Sequence, residues 1–374
     1  MRRQRLVISI NSSWNFVNFR AGLIRGLVDQ GYEVVAVAPE DAHSARIAEL
    51  GARFVALPMD GRGTSPRKDA ALFAGYLKIL RAERPAAFLG YTIKPNIYGS
   101  LAAGLLGIPT INNVAGLGTA FLQRNWLNRT VRILYKTALR RAEVIFFQNP
   151  DDRDLFVGEG LVPPGVADLL PGSGVDTRRF APMERPTAHS GRVFLLVARM
   201  LWAKGVAEFV EAARDVRARF PDARFQVLGI VDETSKGAID RATIERWAAE
   251  GAIEFLGSAD DVRPHLAAAN CIVLPTYYPE GTPRSLLEAA AMGKPLLATD
   301  VPGCRQIVDH GRNGFLVPPR DARALADAMA RFCTLSDEAV ALMGAASRER
   351  AEKEFDERIV IDRYIAAIRR TVGS

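Results

Sequence analysis

Short runs of apolar, largely β-branched residues alternate along this chain with stretches whose apolar positions recur at helical spacing. LVISI (6–10) is followed by a helical stretch ending near Gly31 and then by EVVAVAP (33–39). AAFLGY (86–91) precedes a helix through Leu106 and the run PTINNVAG, and AEVIFFQ (142–148) precedes DDRDLFVGEG. This βαβ rhythm predicts an α/β fold, a parallel sheet wound on both faces. At 182–191 the composition changes to PMERPTAHSG, without apolar periodicity, which reads as a linker. The rhythm then restarts with RVFLLVA (192–198), a helix around 206–219, RFQVLG (224–229), IEFLG (253–257), CIVLP (271–275), PLLAT (295–299) and GFLVP (314–318). Two Rossmann-like, doubly wound units of similar size imply a central cleft, with ligands beyond the carboxyl ends of the strands. The tail from about residue 335 is helical, with Phe355, Ile359, Ile361, Tyr364, Ile365 and Ile368 on one apolar face.

Length and composition narrow this picture. The 374 residues exceed one ordinary domain, and 48% hydrophobic with 24% charged residues describe a globular protein. The net charge of +7 favours an anionic partner: nucleic acid, a phosphate-rich ligand or a lipid head-group surface. Cys271, Cys304 and Cys333 are odd in number and lack metal-ligand spacing, so no disulfide framework is implied and a reducing cytoplasm fits. The apolar run in MRRQRLVISI stops at Asn11, too short for a signal core, and reads as a first strand. The longest uncharged segment, between Lys94 and Arg124, is broken by Asn, Pro and Gly and does not read as a spanning helix.

The usual phosphate loops are absent. No G-x-x-x-x-G-K-[ST] occurs, and the GxG at Gly116–Gly118 has Phe121 where a third glycine would stand. The four histidines (His43, His189, His265, His310) are scattered singly, so no metal site is expected. Asp152-Arg-Asp154 spells D-x-D, but after Pro150 it reads as a helix start with acids facing the dipole. What remains is YYPEGTPRSLLEAAAMGKPLLAT (277–299). CIVLP is the strand, TYYPEG the loop, and a helix starts near Pro283 and closes at Gly293. Its N-terminus is an anion site, and Gly281 allows a ligand close to the backbone. Glu288 lies five residues into the helix, about 7–8 Å along its axis. Apolar Leu286, Leu287 and Ala289–Ala291 surround it, so its carboxylate needs a partner. Arg199 and Lys204, in ARMLWAKG after the strand RVFLLVA, supply cations at the same end of the sheet.

These residues resemble glycosyltransferase family 4, the retaining enzymes of GT-B fold. PEGTPRSLLEA resembles the family's E-x7-E signature and ARMLWAKG its Arg…Lys diphosphate clamp; FLGSADDV (255–262), DVPGCRQIVDHGRNGFLVPP (300–319) and LPGSGVDTRRFAP (170–182) are similar as well. In the first half, NSSWNFVNFRAGLI (11–24), YTIKPNIYGSLAAGLLGIPTINNVAGLGTAF (91–121) and NPDDRDLF (149–156) are similar to a bacterial subgroup. Its members add galactose or N-acetylhexosamine to undecaprenyl-diphosphate-linked sugars for surface glycans. The resemblance implies an acceptor-side domain over 1–185, a nucleotide-sugar domain over 186–350 and a C-terminal helix, 351–374, returning to the first domain. It implies transfer from a UDP-sugar to a lipid-linked acceptor with retention, without a metal and without a cofactor beyond the donor. Carried over by motif, Glu288 would bind the ribose and Arg199 and Lys204 the diphosphate. Glu280 would meet the donor hexose, with Gly281, Thr282 and Pro283 presenting backbone groups and Gly257 lying by the base. The chain departs from the family where many members carry a His: it reads NVAGLG, with Ala115 at about that place. Gly116 and Gly118 would there expose backbone to the sugar, and Lys94 or Asn113 supply polar contacts.

QRNWLNRTVRILYKTALRRAE (123–143) carries Arg124, Arg129, Arg132, Lys136, Arg140 and Arg141 beside Trp126, Leu127, Val131, Leu134 and Tyr135. A basic helix with an aromatic-aliphatic face suits anionic lipid, which predicts a peripheral protein on the inner face of the cell membrane. An ordinary amphipathic helix packed on its sheet has the same pattern. Nucleic acid fits less well, since no binding motif accompanies the charge. Two other readings stay open: a non-hydrolysing UDP-N-acetylglucosamine epimerase, which would turn over without an acceptor, and a degenerate GT-B binding module, which would bind donor without turnover.

Overall fold

A computed structural model describes residues 3–60, 63, 65–116, 126–184 and 191–373, with the side chains of 126 and 127 excepted. The chain divides into two compact units, 1–174 with 357–374, and 175–356.

In the first unit the strands are β1 (Arg5–Ser9), β2 (Glu33–Ala38), β3 (Arg53–Ala56), β4 (Ala87–Tyr91), β5 (Thr110–Val114), β6 (Ala142–Phe147) and β7 (Ala167–Leu169). They form a parallel sheet in the order β3-β2-β1-β4-β5-β6-β7. Helices cover both faces, so the central strands are continuous apolar runs rather than alternating ones. The period of two decides which side each residue feeds. Leu6 and Ile8 enter a core shared with Val34, Ala36 and the C-terminal helix, whereas Val7 faces Val35, Tyr76 and Leu80 on the other side.

The second unit repeats the plan with β8 (Val193–Val197), β9 (Arg224–Leu228), β10 (Glu254–Phe255), β11 (Cys271–Leu274), β12 (Leu296–Thr299) and β13 (Gly314–Val317). The order is β10-β9-β8-β11-β12-β13, again parallel throughout. Phe194 and Leu196 of β8 point to one core and Val193 and Leu195 to the other. In this order the strand sequence reverses between β8 and β11, the position where open α/β sheets bind ligands.

The C-terminal helix Glu357–Val372 belongs to the first unit, where Val360, Tyr364, Ala367 and Ile368 are buried. It lies so close to helix Ala21–Asp29 that a Cβ on Gly26 would come 2.7 Å from Ile361. The chain thus passes between the units at Gly174/Val175 and again at Asp356/Glu357, rather than at 185/186 and 350/351. Residues 185–190 of the expected linker lie outside the described residues. The apolar face expected along the tail is split at the second passage. Phe355 caps helix Asp337–Glu354 and joins the core of the second unit, while Tyr364 and Ile368 join the first. Val175 pairs with Asp356 in a parallel bridge, and the Thr177 hydroxyl bonds the Asp356 carboxylate. None of the described helices is long and apolar enough to cross a membrane.

The Tyr364 ring packs at a tilt against Phe146 (4.9 Å) and Tyr91 (5.9 Å), and its hydroxyl accepts from Asn113 Nδ2 at 3.1 Å. Tyr364→Ala removes a fully buried ring and orphans that donor, so unfolding in urea is expected to show a loss of about 3–5 kcal/mol. A loss below about 1 kcal/mol would mean that the helix is only loosely attached to its sheet.

Candidate active site

The two strands that flank the reversal point of the second sheet deliver the two candidate loops. After β8 the chain runs through Arg199 to a short 3-10 turn, Trp202–Lys204, and then enters helix Val206–Arg219 at Gly205. After β11 it runs from Pro275 to Pro283, which stands at the N-cap of helix Arg284–Ala291 rather than inside it. One backbone oxygen joins them. The Ala203 carbonyl accepts from the Tyr277 and Tyr278 amides at 3.0 Å each and lies 3.1 Å from Thr276 Oγ1. Gly205 makes the junction possible twice over. Its φ of +76° is in the left-handed region, and a Cβ there would collide with the Pro275 carbonyl oxygen.

This stitching holds Lys204 Nζ against the Glu280 carboxylate, both side chains being about seven-eighths buried (13% and 12% exposed). Thr276 Oγ1 lies 3.3 Å from the same carboxylate, and the ammonium sits 5.2 Å from the Tyr278 ring centroid. Burial, followed by the nearby Glu280 charge, pushes the Tyr278 phenol up, and Arg199 opposes them. Arg199 itself is exposed, and among the described residues no ion pair or side-chain hydrogen bond engages it. Helix Pro302–Arg305, after β12, backs the loop so closely that a Cβ on Gly303 would meet the Gly281 carbonyl. Gly281 and Pro283 are buried and Thr282 is partly exposed.

Glu288 is set among Leu286, Leu287 and Ala289–Ala291, which are all buried. Its partner is Arg284, one turn earlier, with Nε 2.8 Å from Oε1 and side chains 18% and 13% exposed. Burial pushes the Glu288 carboxyl above its ordinary range, and Arg284 is the strongest opposing influence, followed by Arg179. Gly257, two residues after β10, has φ +71°, and its carbonyl accepts from Gly229 N at 2.7 Å, one strand removed from β8.

The first-unit candidates divide differently. Lys94 is paired with Asp69 at 2.6 Å, and Tyr98 donates to the same carboxylate at 3.0 Å. Asn113 is 1% exposed and committed inward: it donates to Tyr364, accepts from Gln148 Nε2 at 3.2 Å and gives its carbonyl to Asn96 Nδ2 at 2.8 Å. Gly116 adopts φ +111° at the end of β5, whereas Gly118 and Arg124 lie outside the described residues, as does the side chain of Trp126. In helix Trp126–Leu139 the apolar face expected for lipid is a core face, with Tyr135 buried and Val131 and Leu134 packed beside it. Arg132 is held by Glu159 and Asn128, whereas Arg129, Lys136, Arg140 and Arg141 are exposed, with Ile133 59% exposed among them. Asp152 of the D-x-D string forms a capping pair with Asn149, which accepts from its amide at 2.8 Å, and burial raises its carboxyl to about 6. Arg284, Thr276 and Tyr278 were not singled out from sequence. The R-x-x-x-E spacing carried a signal for the first, since residues four apart share a helix face.

Residues 18–173 match the glycosyl transferase 4-like domain, and residues 191–334 match glycosyl transferases group 1. An N,N'-diacetylbacillosaminyl-diphospho-undecaprenol alpha-1,3-N-acetylgalactosaminyltransferase of Campylobacter jejuni is 26% identical over 95% of this chain and 96% of its own. A UDP-Gal:alpha-D-GlcNAc-diphosphoundecaprenol alpha-1,3-galactosyltransferase of Escherichia coli is 24% identical over 82% and 81%. A glycosyltransferase from Rickettsia africae superposes with a TM-score of 0.82 over 100% of both chains, at 14% identity. Paired Rossmann-like sheets of this order define the GT-B fold. The chain is a glycosyltransferase, with a glycosyl transferase 4-like domain in its first half and a glycosyl transferases group 1 domain in its second.

Gly205→Ala is expected to destabilise the second unit by at least ~2 kcal/mol, from left-handed strain together with overlap on the Pro275 carbonyl. Denaturant unfolding measures this. A loss under ~0.5 kcal/mol would mean that the two loops tolerate separation.

Proposed function

We propose that this enzyme transfers a hexose or N-acetylhexosamine from a UDP-sugar to an undecaprenyl-diphosphate-linked glycan, with retention of the anomeric configuration and without a metal. The observation that carries the reading is the convergence of Lys204 and Glu280, from loops on either side of the β8/β11 reversal, beside the N-terminus of helix Arg284–Ala291. In this reading the uridine ribose lies on Glu288 and the diphosphate on Lys204, Arg199 and the helix N-terminus. Gly281, Thr282 and Pro283 present backbone groups, and Gly257 borders the base. Cleavage of the anomeric C–O bond develops positive charge on the sugar and negative charge on the leaving diphosphate. Fixed cations and an oriented helix terminus stabilise that leaving charge without needing to reorganise. Phosphate oxygens compete with the Glu280 carboxylate for Lys204. As the ammonium turns to phosphate, Glu280 is released to accept hydrogen bonds from sugar hydroxyls.

The two curated relatives act, by their names, on diphospho-undecaprenol-linked sugars, which supports a lipid-linked acceptor here. An acceptor of that kind places the reaction at the inner surface of the cell membrane. Arg129, Lys136 and Arg140 with Ile133 offer it a cationic surface with one apolar contact.

Glu288→Ala and Lys204→Ala are each expected to weaken UDP binding at least about tenfold, the scale of a hydrogen bond to a charged group. Unchanged affinity in a calorimetric titration would sink the donor-site assignment. Turnover of UDP-sugars is expected only with a lipid-diphosphate-linked saccharide present; acceptor-independent conversion of the sugar would overturn the transferase mechanism. On vesicles containing anionic lipid, flotation is expected for the parent and not for Arg129→Glu/Lys136→Glu/Arg140→Glu. Absence of binding by the parent would remove the membrane assignment.

A further inference from the structure

Arg284 opens the helix that carries Glu288, and its place there works against the helix itself. A cation in the first turn faces the positive end of the macrodipole. The pair is also written in the less favourable order, since an acid placed N-terminal to its base at i,i+4 stabilises a helix better than the reverse. Neither feature is what helix stability alone would select. The pair is nevertheless four-fifths or more buried on both sides, with Nε 2.8 Å from Oε1. Among the described residues, Arg284 is the only one that hydrogen-bonds the Glu288 carboxylate, and it does so through Oε1, leaving Oε2 for a ligand.

Resting on the donor site described above, we propose that Arg284 is a positioning residue for the nucleotide: it orients the Glu288 carboxylate and balances its charge, so that Oε2 accepts from the vicinal hydroxyls of a ribose. The surroundings leave this task to Arg284. Arg179, from the segment that follows Val175, is the next cation to act on Glu288, and it is exposed. Asp261, after β10, acts in the opposite sense but is itself paired with Arg263 at 2.7 Å. Arg348 and Lys294 face the other end of the helix and its following turn. Arg348 donates to the Ala291 carbonyl at 2.5 Å, and Lys294 to those of Ala267 and Ala269 at 2.7 and 3.0 Å. Without Arg284, the buried carboxyl has no close cation and titrates at higher pH. A protonated carboxyl has one oxygen fewer to accept from two hydroxyl donors.

The test is calorimetric titration of the full chain with UDP, 2'-deoxy-UDP and uridine between pH 5.5 and 8.5. Parent protein is expected to bind UDP and to prefer it to 2'-deoxy-UDP. Arg284→Leu is expected to lose about tenfold for both UDP and uridine, to lose the preference for the 2'-hydroxyl, and to show affinity that falls towards acid pH from a higher onset than in the parent. Arg284→Lys, which keeps the charge but not the fixed fork, is expected to restore the parent pH profile while recovering only part of the affinity. Combined with Glu288→Ala, Arg284→Leu is expected to add no further loss. Loss for UDP but not for uridine would make Arg284 a phosphate contact and overturn the proposal, as would additive losses in the double variant. An unaltered pH profile in a folded Arg284→Leu protein would do the same. If parent and Glu288→Ala bind UDP equally, the donor site itself fails, and the positioning role with it. If only Glu288→Ala weakens binding, the site stands and the role of Arg284 falls.

Discussion

The geometry of the second unit depends on one backbone oxygen. The Ala203 carbonyl, with two amides and a threonine hydroxyl converging on it, fixes the loop after β8 to the loop after β11. These strands are neighbours in the sheet but far apart in sequence, and parallel neighbours share no hairpin to hold their ends in register. Their loops must therefore be tied by other means. The close packing of Gly205 on Pro275 and the Lys204–Glu280 pair are consequences of that tie. A rigid sheet thus presents charged groups at its carboxyl edge with little freedom, the condition for electrostatic stabilisation of a leaving group without reorganisation.

Burial at this edge is made tolerable by internal pairing. Lys204 with Glu280, and Arg284 with Glu288, are mostly shielded from water, and an unpaired charge at either place would cost several kcal/mol. The two pairs are not equally easy to separate. A pair between two loops and a pair within one helix differ in this respect. Lys204 and Glu280 come from segments 76 positions apart and separate without unwinding anything. Arg284 and Glu288 are held at fixed spacing by their own helix, so they cannot separate without unwinding it.

Much of the architecture was legible because fully buried parallel strands are continuous apolar runs, and every long run named from the sequence is a strand. The return of the C-terminal helix to the first unit was expected from the family resemblance, but the crossing points at 174/175 and 356/357 were not legible. They depend on the Val175–Asp356 bridge and on Gly174 lying close to Glu357, where a Cβ would stand 2.5 Å from its Cα. Neither pairing leaves a local signature, whereas the Pro- and Ser-rich stretch at 182–191 does. The basic helix 126–139 shows the limit of amphipathic patterns: one apolar face serves a core or a bilayer equally well, and here Tyr135 and Leu139 are spent on the sheet. Asn113 shows the matching limit for polar residues. An asparagine in an apolar strand invites a ligand role, yet Asn96, Gln148 and Tyr364, drawn from three other segments, satisfy it internally.

The two glutamates of the E-x7-E string were equivalent as letters and are not equivalent as physical groups. Glu280 stands in a loop, and its countercharge comes from a different strand end, so its position reports on whether the two loops are joined. Glu288 stands inside a helix among alanines and leucines, and its countercharge comes from the same helix, so its position relative to that partner is set by the helix itself. A carboxylate that must meet a reacting sugar gains from a partner it can leave. A carboxylate that must hold a ribose gains from a partner it keeps. On the proposed donor site, the difference in where each partner comes from separates the two tasks on this one loop and helix.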